Sequence, residues 1–397
     1  MRVLRRFRKA GFGVLLAVVA AAVAFGFAHA QGNAPQAFPK VTYQFGEQIH
    51  FTVRFQPANA VKSVTLLYHP AHAAYTLTAS MDWDAEKGEA SFVHDLRQNP
   101  LPPFSKIFYW FRVETKNGNS YTTASFAFTL ADNRFKWQNL SAPPFEVFWY
   151  QGGVEVAQQA LNAASEGLVR AQEIWLAPTP KHVNIYIYAD AAALHSALGT
   201  EAWVAAHASP KLGALFISLP PVGQESEIRR LVPHELAHYL LYQQTGIGYR
   251  SLPAWFNEGL ASVNELSPLP DYDAALKQAV EEGRLIPIRD LCRGFPSEAG
   301  AALLAYAESA SFTNYLSHRY GRVAMHNLVD AYAQGLDCDF GVQSVLGSNL
   351  KELDAAWRAD ALGISEWGQA LSNLWPWILI GTVLLVSLAV GAWLAKP

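Results

Sequence analysis

Leu231-Val-Pro-His-Glu-Leu-Ala-His-Tyr239 carries two histidines four residues apart, His234 and His238, with Glu235 between them. Residues four apart lie on one face of a helix, so both imidazoles can reach one metal ion. Glu235 projects about 100° round from His234, close enough to meet a water at that ion without being a ligand. Neutral imidazole nitrogens suit Zn²⁺. Pro233 either starts the helix there or bends it. Further on, Pro253-Ala-Trp-Phe-Asn-Glu-Gly-Leu-Ala261 reads as a second helix carrying Glu258. Thr245-Gly246 ends the first helix and residues 249–253 supply the loop, so a helical hairpin brings Glu258 over it. His234, His238 and Glu258 then make three protein ligands with a fourth position open, the catalytic rather than the structural zinc arrangement.

The flanking pattern defines the domain around these helices. Residues 154–175 have apolar residues at helical spacing, with Val154, Ala157, Leu161, Leu168 and Ala171 on one face. Val183–Tyr188 (VNIYIY) and Leu212–Leu219 (LGALFISL) read as strands, the second bounded by Pro210 and Pro220. The chain is then almost entirely helical in pattern to about residue 370. Strands first and helices afterwards predict an α+β domain over 147–370. Leu215, Phe216 and Ile217 precede the His-Glu helix. They form either an edge strand that pairs with an extended substrate or an ordinary core strand.

Upstream, residues 31–132 read as a β-sandwich of immunoglobulin or fibronectin type III shape. Ile49, Phe51, Val53 and Phe55 alternate with polar residues, and so do Ile107, Tyr109, Phe111 and Val113. Asn117-Gly118 between two alternating runs signals a hairpin. No titratable cluster marks this region, and it reads as a spacer or docking module. Residues 133–146, with Pro143-Pro144, read as a linker.

Composition bounds the rest. The 397 residues are 51% hydrophobic and 16% charged, which suits two packed domains rather than a disordered chain. A net charge of −3 offers no basic field for nucleic-acid phosphates, so no nucleic-acid partner is expected. Two cysteines exclude a disulfide-scaffold mini-protein and a CxxC zinc ribbon. Arg2, Arg5, Arg6, Arg8 and Lys9, an uncharged run from Gly11 to Phe27, and Ala28-His29-Ala30 read as a secretory signal over 1–30. An uncleaved anchor is the other reading of that segment. Leu374–Leu394 is a run of 21 uncharged residues with Trp375 and Trp377 at one edge and Trp393 at the other, expected to be one transmembrane helix. The expectation is a single-pass protein of the cell membrane, its bulk outside and its C-terminus cytoplasmic. In that oxidising setting Cys292 and Cys338 are expected to pair, two buried free thiols being the alternative.

HELAH followed by WFNEGLA resembles the gluzincin metallopeptidases, the thermolysin-like branch of the zincins. It is most similar to the bacterial peptidase MA-like group of extracytoplasmic proteins. The resemblance implies a zincin-like fold, a small sheet plus mainly helices, over about residues 150–365. It implies one Zn²⁺ per chain on His234, His238 and Glu258. It also implies hydrolysis of a peptide or protein substrate by a zinc-activated water, with Glu235 as general base. Tyr306, in Ala305-Tyr-Ala-Glu-Ser-Ala310, resembles the position of a family motif whose phenol would stabilise an oxyanion; the other reading is a core tyrosine. The sequence also departs from the pattern. Thermolysin-like enzymes carry an aspartate four residues beyond the glutamate ligand, where this chain has Ser262. Another carboxylate or carbonyl must then orient the imidazoles. The rival reading is a cell-surface binding or adhesion protein with an inactive zincin-like domain. Intact Glu235 favours the enzyme, and Ser262 favours the rival.

Overall fold

The computed structural model describes residues 34–71, 73–199, 205–219, 224–364, 374–383 and 385–387. The expected signal at 1–30 lies outside them.

The N-terminal region is a β-sandwich. β1 (Gln36–Gln44), β2 (Gln48–Gln56), β5 (Asp82–Asp84) and β6 (Glu89–Asp95) form one sheet in the order β1-β2-β6-β5. β3 (Val61–Pro70), β4 (Leu77–Ser80), β7 (Lys106–Thr115), β8 (Ser120–Thr122) and β9 (Phe126–Thr129) form the other, in the order β4-β3-β7-β8 with β9 also on β7. The sequence alternation becomes burial alternation. In β2, Ile49, Phe51, Val53 and Phe55 are buried while their neighbours are not. Burying one face of each sheet against the other is what fixes the register. The Asn117-Gly118 turn joins β7 to β8, with Gly118 at φ +85°, and Thr115 N–H donates to the Asn119 carbonyl.

A third sheet follows. It holds β10 (Gln138–Ala142), β11 (Phe145–Trp149), β12 (Val183–Tyr188), β13 (Ala206–Ser209) and β14 (Ala214–Ser218), in the order β10-β11-β12-β14-β13. α1 (Val154–Trp175) crosses from β11 to its parallel neighbour β12, and α2 (Ala191–Leu198) lies between β12 and β13. Then come α3 (Gln224–Thr245), α4 (Ala254–Asn264), α5 (Pro270–Glu282), α6 (Ala299–Ala333), α7 (Cys338–Leu346) and α8 (Leu350–Asp360). α6 breaks at Gly321, whose φ of +75° and ψ of +169° are not helical.

Three layers result. Ile185, Ile187, Leu215 and Ile217 face the helices and share a core with Ala160, Ala164, Leu236 and Leu240. Tyr186, Tyr188, Ala214 and Phe216 face the sandwich, where Phe104 packs 4.6 Å from Tyr186 and 4.8 Å from Phe216 between ring centroids. Asp132, buried, takes a 2.7 Å ion pair from Arg134 and a 3.0 Å hydrogen bond from the Tyr188 hydroxyl. The sandwich is therefore packed onto the far face of the peptidase-like sheet, sharing a core with it.

Two expectations are corrected here. Residues 133–146 are not a loose linker: β10 and the start of β11 lie within them, and Pro143-Pro144 is the turn of that antiparallel hairpin. Leu215, Phe216 and Ile217 are not on an edge. They sit in β14, hydrogen-bonded on both sides by β12 and β13, and all three are fully buried. A strand covered on both faces reads as a continuous apolar run, which is how this one reads.

Residues 374–383 and 385–387 are helical, with Trp375 and Trp377 exposed. Residue 384 and the part of the expected span from 388 to 394 lie outside the described residues. Among the described residues no helix is long and apolar enough to cross a membrane.

Candidate metal centre and catalytic cleft

α3 runs straight through Pro233. Proline has no N–H, so the carbonyl of Arg229, four residues back, loses its helical partner. Leu266 N–H donates to that carbonyl at 3.0 Å, and Asn264 Nδ2 donates to the Pro233 carbonyl at 2.8 Å. Both donors lie at the end of α4, so the proline's missing bond ties the histidine helix to the glutamate helix. The ring also sits against Gly167 of α1, where a Cβ would come within 2.8 Å of it. Pro233 thus neither starts the helix nor breaks it.

The hairpin of α3 and α4 does what the spacing requires. His234 Nε2 lies 3.6 Å and His238 Nε2 3.5 Å from Glu258 Oε2, and ligand atoms of the three residues lie within 4.8 Å of one another. Ligands held ~2.1 Å from one tetrahedral ion stand roughly 3.4 Å apart, so the donor set and its spacing fit zinc. Glu235 lines the same cleft and is not in the cluster.

Behind the ligands lies a set of partners that the sequence reading missed. Glu265, buried just past the end of α4, sets Oε1 2.9 Å from His234 Nδ1. Asn257 Oδ1 and the Tyr249 hydroxyl each lie 3.2 Å from His238 Nδ1, and Asn257 Nδ2 donates to Tyr249 at 3.0 Å. Each ring is thereby held by its rear nitrogen with Nε2 aimed into the cleft. Ser262, where a thermolysin-like aspartate would stand, is buried beside Tyr272 rather than against either imidazole's rear nitrogen. Glu265 does the orienting instead. It lies seven residues after Glu258, two helical turns on and on the same side, a spacing that could have found it.

The electrostatics follow from that crowding. Burial pushes the His234 imidazole down, but its hydrogen bonds to Glu258 and Glu265 outweigh this and lift its pKa to about 10. His238 is also raised, burial again opposing and Glu258 dominating the lift. Burial would raise the Glu258 carboxyl, but the two imidazoles hold it well below its usual range. Burial pushes the Tyr306 phenol far up, assisted by the Glu258 and Glu235 carboxylates, so it stays neutral and able to donate. Tyr306 lines the cleft and packs edge-on to Phe295, with ring centroids 4.8 Å apart.

One wall of the cleft is β13, the true edge strand. Ser218 N–H donates to the Ala205 carbonyl, and the pair alternates from there, so residues 207 and 209 bond to β14. The backbone groups of Ala206 and Ala208 point outward along an edge that no strand among the described residues covers.

Cys292 and Cys338 form a disulfide, with their Cα atoms 6.1 Å apart. It lies beside α4: Ala254 N–H donates to the Cys292 carbonyl, and Trp255 Nε1 donates to Cys338 Sγ.

Comparison with known proteins places this geometry. No curated protein sequence matches the chain. Among solved structures, a purple acid phosphatase from yellow lupin (Lupinus luteus) seeds is 13% identical with a TM-score of 0.21, over 52% of this chain and 40% of that one. Cwp6 from Clostridium difficile is 10% identical with a TM-score of 0.20, over 61% of this chain and 48% of that one. The chain spans less than half the length of either, and likeness at that level carries no argument. The sequence profile of the Peptidase MA superfamily matches residues 163–363, from within α1 to just past α8. That match covers half of the chain and takes in both site helices, so the chain belongs to the Peptidase MA superfamily.

Proposed function

We propose that the protein is a zinc-dependent peptidase, exported and held at the cell membrane by residues 374–394. The reading is carried by one observation: two imidazole Nε2 atoms and the Glu258 carboxylate converge beside Glu235, next to a free sheet edge. Superfamily membership supports a peptidase, and the donor set suits zinc. A zinc ion on His234, His238 and Glu258 would supply a Lewis acid and an acidified water at neutral pH.

The chain's own residues do the rest. Ala206 and Ala208 offer backbone donors and acceptors to an extended peptide. Glu235 takes a proton from the attacking water and delivers it to the leaving amine. Tyr306 donates a hydrogen bond to the oxygen that gains charge. Glu265 and Asn257 keep both imidazoles in the tautomer with Nε2 facing inward. Glu265 supports the active reading, because it supplies an orienting carboxylate that Ser262 cannot.

The test is digestion of a mixed peptide library by the full chain, with and without a zinc chelator. Cleavage that the chelator stops and added zinc restores is expected. Binding of peptides without cleavage under zinc-replete conditions would favour the adhesion reading.

A further inference from the structure

Behind β13, on the sandwich side, lies a second cavity of about 410 Å³. Pro70, Tyr75 and Pro102 of the sandwich and Leu198 and Leu212 of the peptidase-like domain form its apolar walls. Tyr75 is 53% exposed, a large ring with one side uncovered. His207, Ser209 and Lys211 line both this cavity and the catalytic cleft, so only the edge strand separates the two.

The register says how a substrate would meet both. His207 pairs with Phe216 and Ser209 with Ala214, residues of the sandwich-facing core. Ala206 and Ala208 pair with Ile217 and Leu215, residues of the helix-facing core. A strand added to the free edge continues that alternation, sending every second side chain to each face.

We infer that the sandwich domain supplies a pocket for an apolar side chain of an extended polypeptide lying along β13, alternating with side chains that face the catalytic cleft. That the polypeptide is a substrate rests on the peptidase reading above; the pocket itself does not. The sandwich is on this account part of the recognition surface rather than a spacer. Walls of proline, leucine and tyrosine, with His207, Ser209 and Lys211 on the strand side, suit a Phe- or Leu-sized group, and a glycine in its place forfeits the burial.

The test walks one phenylalanine along a labelled ten-residue host peptide of Ser and Thr. Binding is read by fluorescence anisotropy on zinc-loaded full-length Glu235→Gln protein. The best-placed Phe peptide should bind roughly tenfold or more tighter than its Gly counterpart. Ala73→Trp, which fills the cavity, and Tyr75→Ala, which removes a wall, should each bring that ratio to within about twofold. Both peptides are measured on one preparation, so lost folded protein lowers both and leaves the ratio alone. A ratio near one in the parent, or one unchanged by both variants, overturns the pocket. Wild-type cleavage of the same peptides tests the other claim: no cleavage with the binding ratio intact would sink the peptidase reading and keep the pocket.

Discussion

His234 and His238 are aimed from behind, and this makes the rear partners testable. Glu265→Gln keeps the shape and loses the charge that accepts from His234 Nδ1. It should fold normally and bind zinc about 10- to 100-fold more weakly, measured by competition with a chelator. Zinc affinity equal to wild type would remove Glu265 from the site. The candidate ligands were legible because a metal demands side chains at fixed helical spacing. Glu265 was not, because an orienting group needs only to end beside the ring, from whatever position the backbone provides. A second residue-scale prediction concerns Glu308, fully buried, whose Oε1 accepts from Ile286 N–H while Oε2 has no hydrogen-bond partner among the described residues. Burial lifts its pKa from 4.5 to about 8. The fold therefore binds this proton more tightly than the unfolded chain does. Its contribution is complete below about pH 4.5 and is lost as the pH rises through about 8. Stability should fall over that window by on the order of a few kcal/mol. In Glu308→Gln that part of the slope should vanish, as chemical denaturation at a series of pH values would show.

α4 is the element on which the site depends. Gly259, next to Glu258, lies where a Cβ would sit 2.1 Å from Thr313 Oγ1 and 2.7 Å from the Ser309 carbonyl of α6. The backbone carbonyl cannot swing aside, so Gly259→Ala must push α4 off α6. We expect a loss of roughly 1–3 kcal/mol together with weaker zinc binding, because Glu258 moves with the helix. Denaturant titration and zinc titration on the same variant check both. The Cys292–Cys338 bridge fastens the start of α7 to the segment between α5 and α6. Replacing both cysteines by serine should cost about 3–4 kcal/mol in the chain-entropy picture. Elements of this kind differ in how plainly the sequence announces them. α1 and β12 have clean periodicity and were found. β10 (QNLSA) and β13 (AHAS) are short, carry no β-branched residue and show no alternation of large apolar residues, so little marks them locally. Each is the weaker arm of a local antiparallel pair, with β11 or β14, and the edge role was offered to the more obvious β14.

At the scale of the molecule the sandwich, the sheet and the helices form three packed layers, and the candidate metal cleft opens at the sheet's edge. Both domain types were legible from strand and helix periodicity. Their mutual packing was not, because Phe104, Tyr186 and Phe216 look like ordinary core residues of separate domains until the fold brings them together. The proposed export and anchoring place the layers outside the membrane. Protease shaving of intact cells should then release the globular part, and resistance until lysis would mean the opposite orientation. The central claim is that His234, His238 and Glu258 hold zinc while Glu235 moves the proton, and zinc content measured beside peptide hydrolysis tests it most directly. Wild type should carry about one zinc per chain and cleave peptides, and His238→Ala should lose both zinc and activity. Glu235→Gln should keep its zinc and its fold while losing on the order of 10²–10⁴ or more in rate. Full hydrolysis by Glu235→Gln, or an active wild type without zinc, would contradict the account.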